Sequence, residues 1–144
     1  MGEFLAQGKT TSIEAADGGR AADDESLLEN WILLVEDDQD TREVLVDFLD
    51  EAGYRAKAVA SGAAAMKLLE TGRPCLILAD YLLGDTDGKE LRRKIRESLG
   101  ASAPPFVLLT GFSPANLKDI SGVILQKPID CERLLNVVAA HCAC

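Results

Sequence analysis

Residues 35–38 read VEDD, so Glu36, Asp37 and Asp38, joined by Asp40, crowd together where an apolar run ends. Acids packed this closely repel one another unless a cation or a proton intervenes. Further along, CLILA (75–79) runs into Asp80, FVLL (106–109) into Thr110, and GVILQ (122–126) into Lys127, which Pro128 follows. Together these residue types suit phosphoryl chemistry assisted by a hard cation. Carboxylate oxygens and waters are the ligands that Mg2+ takes. An aspartate is a competent nucleophile for forming an aspartyl phosphate. A hydroxyl and an ammonium beside it stabilise the negative charge that develops on the moving group.

For these groups to meet, the elements that carry them must end at one edge. From Trp31 onward apolar runs alternate with helical periodicity. WILLV (31–35) reads as a strand. DTREVLVDFLDEAG (40–53) follows as a helix with Val44, Leu45, Phe48, Leu49 and Ala52 on its inner face and Gly53 at its end. YRAKAV (54–59) alternates like an outer strand, and Ser61 caps a helix carrying Ala65, Leu68 and Leu69 that stops near Gly72. After CLILA, DGKELRRKIRESLG (87–100) is an amphipathic helix capped by Asp87, with Leu91 and Ile95 inward and its basic side chains in solvent. A short helix near 114–120 precedes GVILQ, and Asp130 caps a last helix, DCERLLNVVAAH (130–141). Five β–α units predict an α/β fold with a parallel sheet and helices on both faces. The uninterrupted apolar strands at 32–35, 75–79 and 106–109 belong at its centre. A site then forms beyond the carboxyl ends of the strands, where the strand order reverses.

Composition bounds the function. A chain of 144 residues with a net charge of −9 repels a phosphate backbone, which argues against nucleic acid as a direct partner. No apolar stretch approaches a membrane span, the N-terminus lacks a signal-peptide pattern, and the expected location is the cytoplasm. The acidity is uneven: residues 1–30 balance at −5 and residues 31–144 at −4. The first 30 residues, with little apolar periodicity, are expected to be a flexible acidic tail or linker, and 31–144 the folded domain. The four cysteines (Cys75, Cys131, Cys142, Cys144) suggest no disulfide framework, and Cys75 reads as a small core residue. GKTT (8–11) lacks the first glycine of a phosphate-binding P-loop, and HCAC (141–144) offers three ligands without a fourth, so neither is expected to bind.

Four segments, VEDD (35–38), LADYLLGDTDG (78–88), LLTG (108–111) and LQKP (125–128), resemble in order and spacing the receiver domain of two-component response regulators, the CheY-like family. The resemblance covers about residues 31–141. It implies a doubly wound five-stranded parallel sheet of strand order 2-1-3-4-5, as in flavodoxin-like proteins. It also implies a phosphorylation-controlled switch rather than an enzyme. Asp80 matches the phosphoacceptor, supplied by a histidine kinase or a histidine phosphotransfer protein. Asp37 matches the direct Mg2+ ligand, Glu36 the acid that reaches the metal through water, and Leu82 the residue whose main-chain carbonyl is a further ligand. Thr110 matches the hydroxyl that follows the phosphoryl group. Lys127 matches the ion-pairing lysine, with a cis bond to Pro128, and Gly88 the glycine that opens the third helix. The chain is then a single-domain regulator or the receiver of a larger protein such as a hybrid kinase, with a downstream protein partner and, in some members, a phosphorylation-dependent dimer.

The sequence also departs from that family. Gly84 stands where proline is usual, and Ile124 where an aromatic residue or histidine is usual. Only 17 positions separate Thr110 from Lys127, about one helical turn fewer than in typical receivers. These changes leave the phosphate chemistry intact and put the usual output mechanism in doubt. They keep open a pseudo-receiver that binds partners without being phosphorylated. A Mg2+-dependent phosphohydrolase with an aspartate nucleophile fits less well, because its acid spacing and cap are missing.

Overall fold

The computed structural model describes residues 30–111 and 123–142. The chain runs β1 (Trp31–Val35), α1 (Gln39–Glu51), β2 (Arg55–Val59), α2 (Gly62–Leu68), β3 (Leu76–Asp80), α3 (Gly88–Leu99), a 3-10 turn (Gly100–Ser102), β4 (Phe106–Thr110), β5 (Val123–Gln126) and α4 (Cys131–His141). All strands pair in parallel, in the order β2-β1-β3-β4-β5, which is the predicted doubly wound arrangement. The order reverses after β1, so β1 and β3 lie side by side at the centre. Every residue of both is buried. The edge strands β2 and β5 are only partly covered, each mixing exposed with half-buried or buried positions.

The apolar runs fill two cores because successive strand residues point to opposite faces. Ile32, Leu34, Leu76 and Leu78 pack with Leu45 and Leu49 of α1 and Leu134 and Val138 of α4. Trp31, Leu33, Val35, Ile77 and Ala79 pack on the other face with Ala65, Leu91 and Ile95. Each helix starts where a side-chain acceptor satisfies its first free N–H groups. Asp38 accepts from the Thr41 N–H, Ser61 from Ala64, Asp87 from Glu90, and Asp130 from Glu132 and Arg133. Gly53, at φ 96°, turns the chain out of α1 in the left-handed region.

Two expectations are corrected. Val44 does not join the inner face of α1: it is 66% exposed, because the buried stripe of that helix runs through Leu45 and Leu49 and leaves Val44 on the outer side. Cys75 and Cys142 form a disulfide, with their Cα atoms 5.5 Å apart. Cys75 directly precedes β3 and Cys142 ends α4, so the fold brings together residues 67 positions apart. No spacing pattern signals such a pair. Cys131 is a free, exposed thiol. The disulfide also removes Cys142 from the HCAC ligand set, and Cys144 lies outside the described residues, as do the GKTT segment and the helix expected near 114–120.

Candidate phosphoacceptor site

β1, β3, β4 and β5 deliver their polar ends to one edge. The Lys127 Nζ lies 2.8 Å from Asp80 Oδ1 and 3.1 Å from Glu36 Oε1. One carboxylate oxygen each of Glu36, Asp37 and Asp80 falls within a group whose members are all within 4.8 Å of one another. Thr110, fully buried, ends β4 next to these acids, and its carbonyl accepts the Lys127 N–H at 2.6 Å. The main chain therefore fixes the position of the lysine relative to the threonine. Lys127–Pro128 is a cis peptide, as expected.

The acids differ in their surroundings. Glu36 is 1% exposed and Asp80 8%, whereas Asp37 faces solvent. The Glu36 main chain is held by its N–H on the Val59 carbonyl and by the Arg42 guanidinium on its own carbonyl. Burial pushes the Glu36 carboxyl above its ordinary value and the neighbouring Asp80 charge adds to this, while the Asp38 N–H and Lys127 act against it. An ion pair ordinarily lowers its acid; here burial wins. For Lys127, burial pulls the ammonium down, but hydrogen bonds and charge from Asp80 and Glu36 outweigh it and leave the pKa above its ordinary value. A single lysine thus serves two buried carboxylates with a third acid alongside. Oxygen donors short of positive charge fit a hard divalent cation.

Gly88 sets how closely α3 approaches Asp80. A Cβ there would sit 2.4 Å from Leu108 Cδ1 and 2.8 Å from the Asp80 carbonyl oxygen, so no side chain fits. Its N–H donates to the Tyr81 carbonyl at 2.7 Å, closing the loop that carries Leu82. The Leu82 side chain, two positions after Asp80, is 59% exposed. Asp38 and Asp40 are the cap and a first-turn residue of α1, where the helix dipole favours negative charge. Sequence reasoning missed Asp85, whose carboxylate accepts from Gly62 N and Ala63 N, 23 and 22 residues away. These two bonds hold its pKa below the usual range. A groove of about 460 Å³ opens next to Lys127, lined by Val44, Leu45, Phe48, Pro128, Ile129 and Leu134.

The profile of the response regulator receiver domain matches residues 32–139. The chain belongs to that family. Receiver domains are signalling modules rather than conventional enzymes, as the resemblance implied. The response regulator receiver protein CpdR of Brucella abortus is 33% identical over 112 residues, spanning 74% of this chain and 92% of CpdR. The transcriptional regulatory protein GltR of Pseudomonas aeruginosa is 38% identical over 82 residues, 57% of this chain but only 34% of GltR. Among solved structures, the receiver domain of a sensor histidine kinase from Pseudomonas aeruginosa PAO1, with a magnesium ion coordinated in its active-site cleft, is 29% identical. Its TM-score is 0.69, with 78% of this chain and 96% of that one covered. Among the described residues of this receiver, no helix is long and apolar enough to cross a membrane.

Proposed function

We propose that this receiver is a phosphorylation-controlled switch in which Asp80 takes a phosphoryl group from a phosphohistidine of a kinase or phosphotransfer protein. The observation that carries this reading is the contact of Lys127 with both Asp80 and Glu36, which leaves the acceptor carboxylate at the strand edge beside a cation-binding acid cluster. Asp37, Asp80 and the Leu82 carbonyl would hold Mg2+, with Glu36 reaching it through water. Bound there, the metal would neutralise charge between Asp80 and the incoming phosphoryl oxygens.

An Asp80 oxygen forms the new P–O bond as the N–P bond of the donor breaks and the imidazole leaves. Lys127 then pairs with a phosphoryl oxygen, where the negative charge now lies, and the Thr110 hydroxyl donates to another. The apolar groove beside Lys127, with exposed Val44 at its rim, supports docking of the donor there, within reach of Asp80. Residues 1–30 are assigned as an acidic tail or linker and 31–144 as the receiver, a boundary supported by the burial of Trp31 as the first residue of β1. The kinase partner supports a cytoplasmic location, while the Cys75–Cys142 disulfide pulls the other way.

Intact mass after treatment with acetyl phosphate tests the reading. One added phosphoryl group is expected with Mg2+ and none after chelation. Equal modification of Asp80→Asn would overturn it.

A further inference from the structure

The loop between Asp80 and Gly88 has to present the Leu82 carbonyl, yet it contains Gly84, exposed and with nothing within 4 Å of where its Cβ would stand. Glycine at such a point loosens a loop. Within the loop, Leu83 N–H donates to the Thr86 carbonyl at 3.1 Å and Leu82 bridges Asp87, which shapes the turn, and the Leu83 side chain is buried in the core with Ile77 and Leu91. Asp85 adds the polar tie to α2. Its two carboxylate oxygens accept from Gly62 N at 3.0 Å and Ala63 N at 2.9 Å, the first two N–H groups of α2, while Ser61 satisfies the third. Gly62 fits this docking: a Cβ there would lie 2.6 Å from Thr86 Cγ2.

We infer that Asp85 is a positioning residue for the metal site, holding the Leu82 loop against α2 so that its carbonyl is in place before the cation arrives. This rests on the assignment of Leu82 as a ligand under the proposed function. Ordering a loop on binding costs affinity, and ordering it beforehand removes that cost. Partners that orient ligands from outside the coordination shell are worth about 10–100-fold in metal affinity. Asp85→Ala should therefore weaken Mg2+ binding about tenfold. Asp85→Asn removes the same charge but keeps one acceptor, and should lose less. Gly84→Ala should restore about threefold in the Asp85→Ala background by narrowing the loop's free conformations. Gly84 is not among the positive-φ glycines and has space for a methyl group, so the substitution fits.

The experiment is a Mg2+ titration followed by amide NMR shifts of residues 36–38 and 80–88, with amide hydrogen exchange of 82–87 measured in metal-free protein. The expected result is faster exchange in Asp85→Ala, the affinity order wild type, Asp85→Asn, Asp85→Ala, and partial recovery with Gly84→Ala. Equal losses in Asn and Ala would reduce Asp85 to a charge effect and overturn the inference. So would unchanged Mg2+ affinity, or a rescue that fails. A wild-type protein that binds no Mg2+ would instead refute the functional reading itself, whatever the exchange rates show.

Discussion

The Lys127 ammonium sits 2.8 Å from Asp80 Oδ1, although β5 and β3 are separated in the sheet by β4. Lys127 bridges that gap from just past the end of β5, where its N–H is anchored on the Thr110 carbonyl. Its ammonium is the positive charge that faces both buried carboxylates, Asp80 and Glu36. Replacing it leaves two buried carboxylates uncompensated. Because Lys127 is 30% exposed, Lys127→Met should cost toward the lower end for a broken pair, about 1–2 kcal/mol in urea unfolding without metal. Mg2+ should bind the variant more tightly and recover the loss. No change in metal-free stability would show that the pair is incidental.

The Cys75–Cys142 bond closes a loop of 67 positions, so its reduction should lower stability by about 4 kcal/mol on the chain-entropy account. Five strand residues at about 3.3 Å each put Cys75 roughly 17 Å from Asp80, at the opposite edge of the sheet. Urea unfolding with and without reductant should show the loss, while phosphorylation of the still-folded reduced protein is unchanged. An unchanged unfolding midpoint would count against the bond.

Decay of the phosphorylated form should be slow for the family. The residue two positions after the acceptor is Leu82, apolar and 59% exposed, with no group to orient an attacking water. Phe112, two positions after Thr110, lies outside the described residues. Leu82→Asn or Leu82→Glu should alter the decay rate several-fold, read by mass over time. A wild-type acyl phosphate lasting only seconds would contradict this.

The sheet, its helix caps and the polar strand ends were legible because each depends on local pattern: apolar runs, 3.6-residue periodicity, and an Asp or Ser before each helix. The disulfide and the Asp85 tie were not, since both join residues far apart whose types are common in loops. The exposure of Val44 escaped because a helical stripe is read to within a residue or so of its edge, and the apolar surface it leaves out borders the groove by Lys127.

Signalling should not run through position 124. Ile124 of β5 pairs with Leu108 of β4 and is half-buried, and a β-branched side chain is stiff about χ1. It cannot alternate between core and surface as a ring does. Hydrogen exchange with and without beryllofluoride should change most in α1 and its junction with Asp37. A maximum over residues 112–126, with Ile124 moving between buried and exposed, would refute this.

Asp80 as the acceptor is the central claim, and chemical trapping tests it most directly. An aspartyl phosphate reduced by borohydride becomes homoserine, which peptide mass spectrometry locates. After acetyl phosphate and Mg2+, homoserine is expected at position 80 and nowhere else. Homoserine at Asp37 or another acid, or none despite a phosphorylated intact mass, would contradict the account.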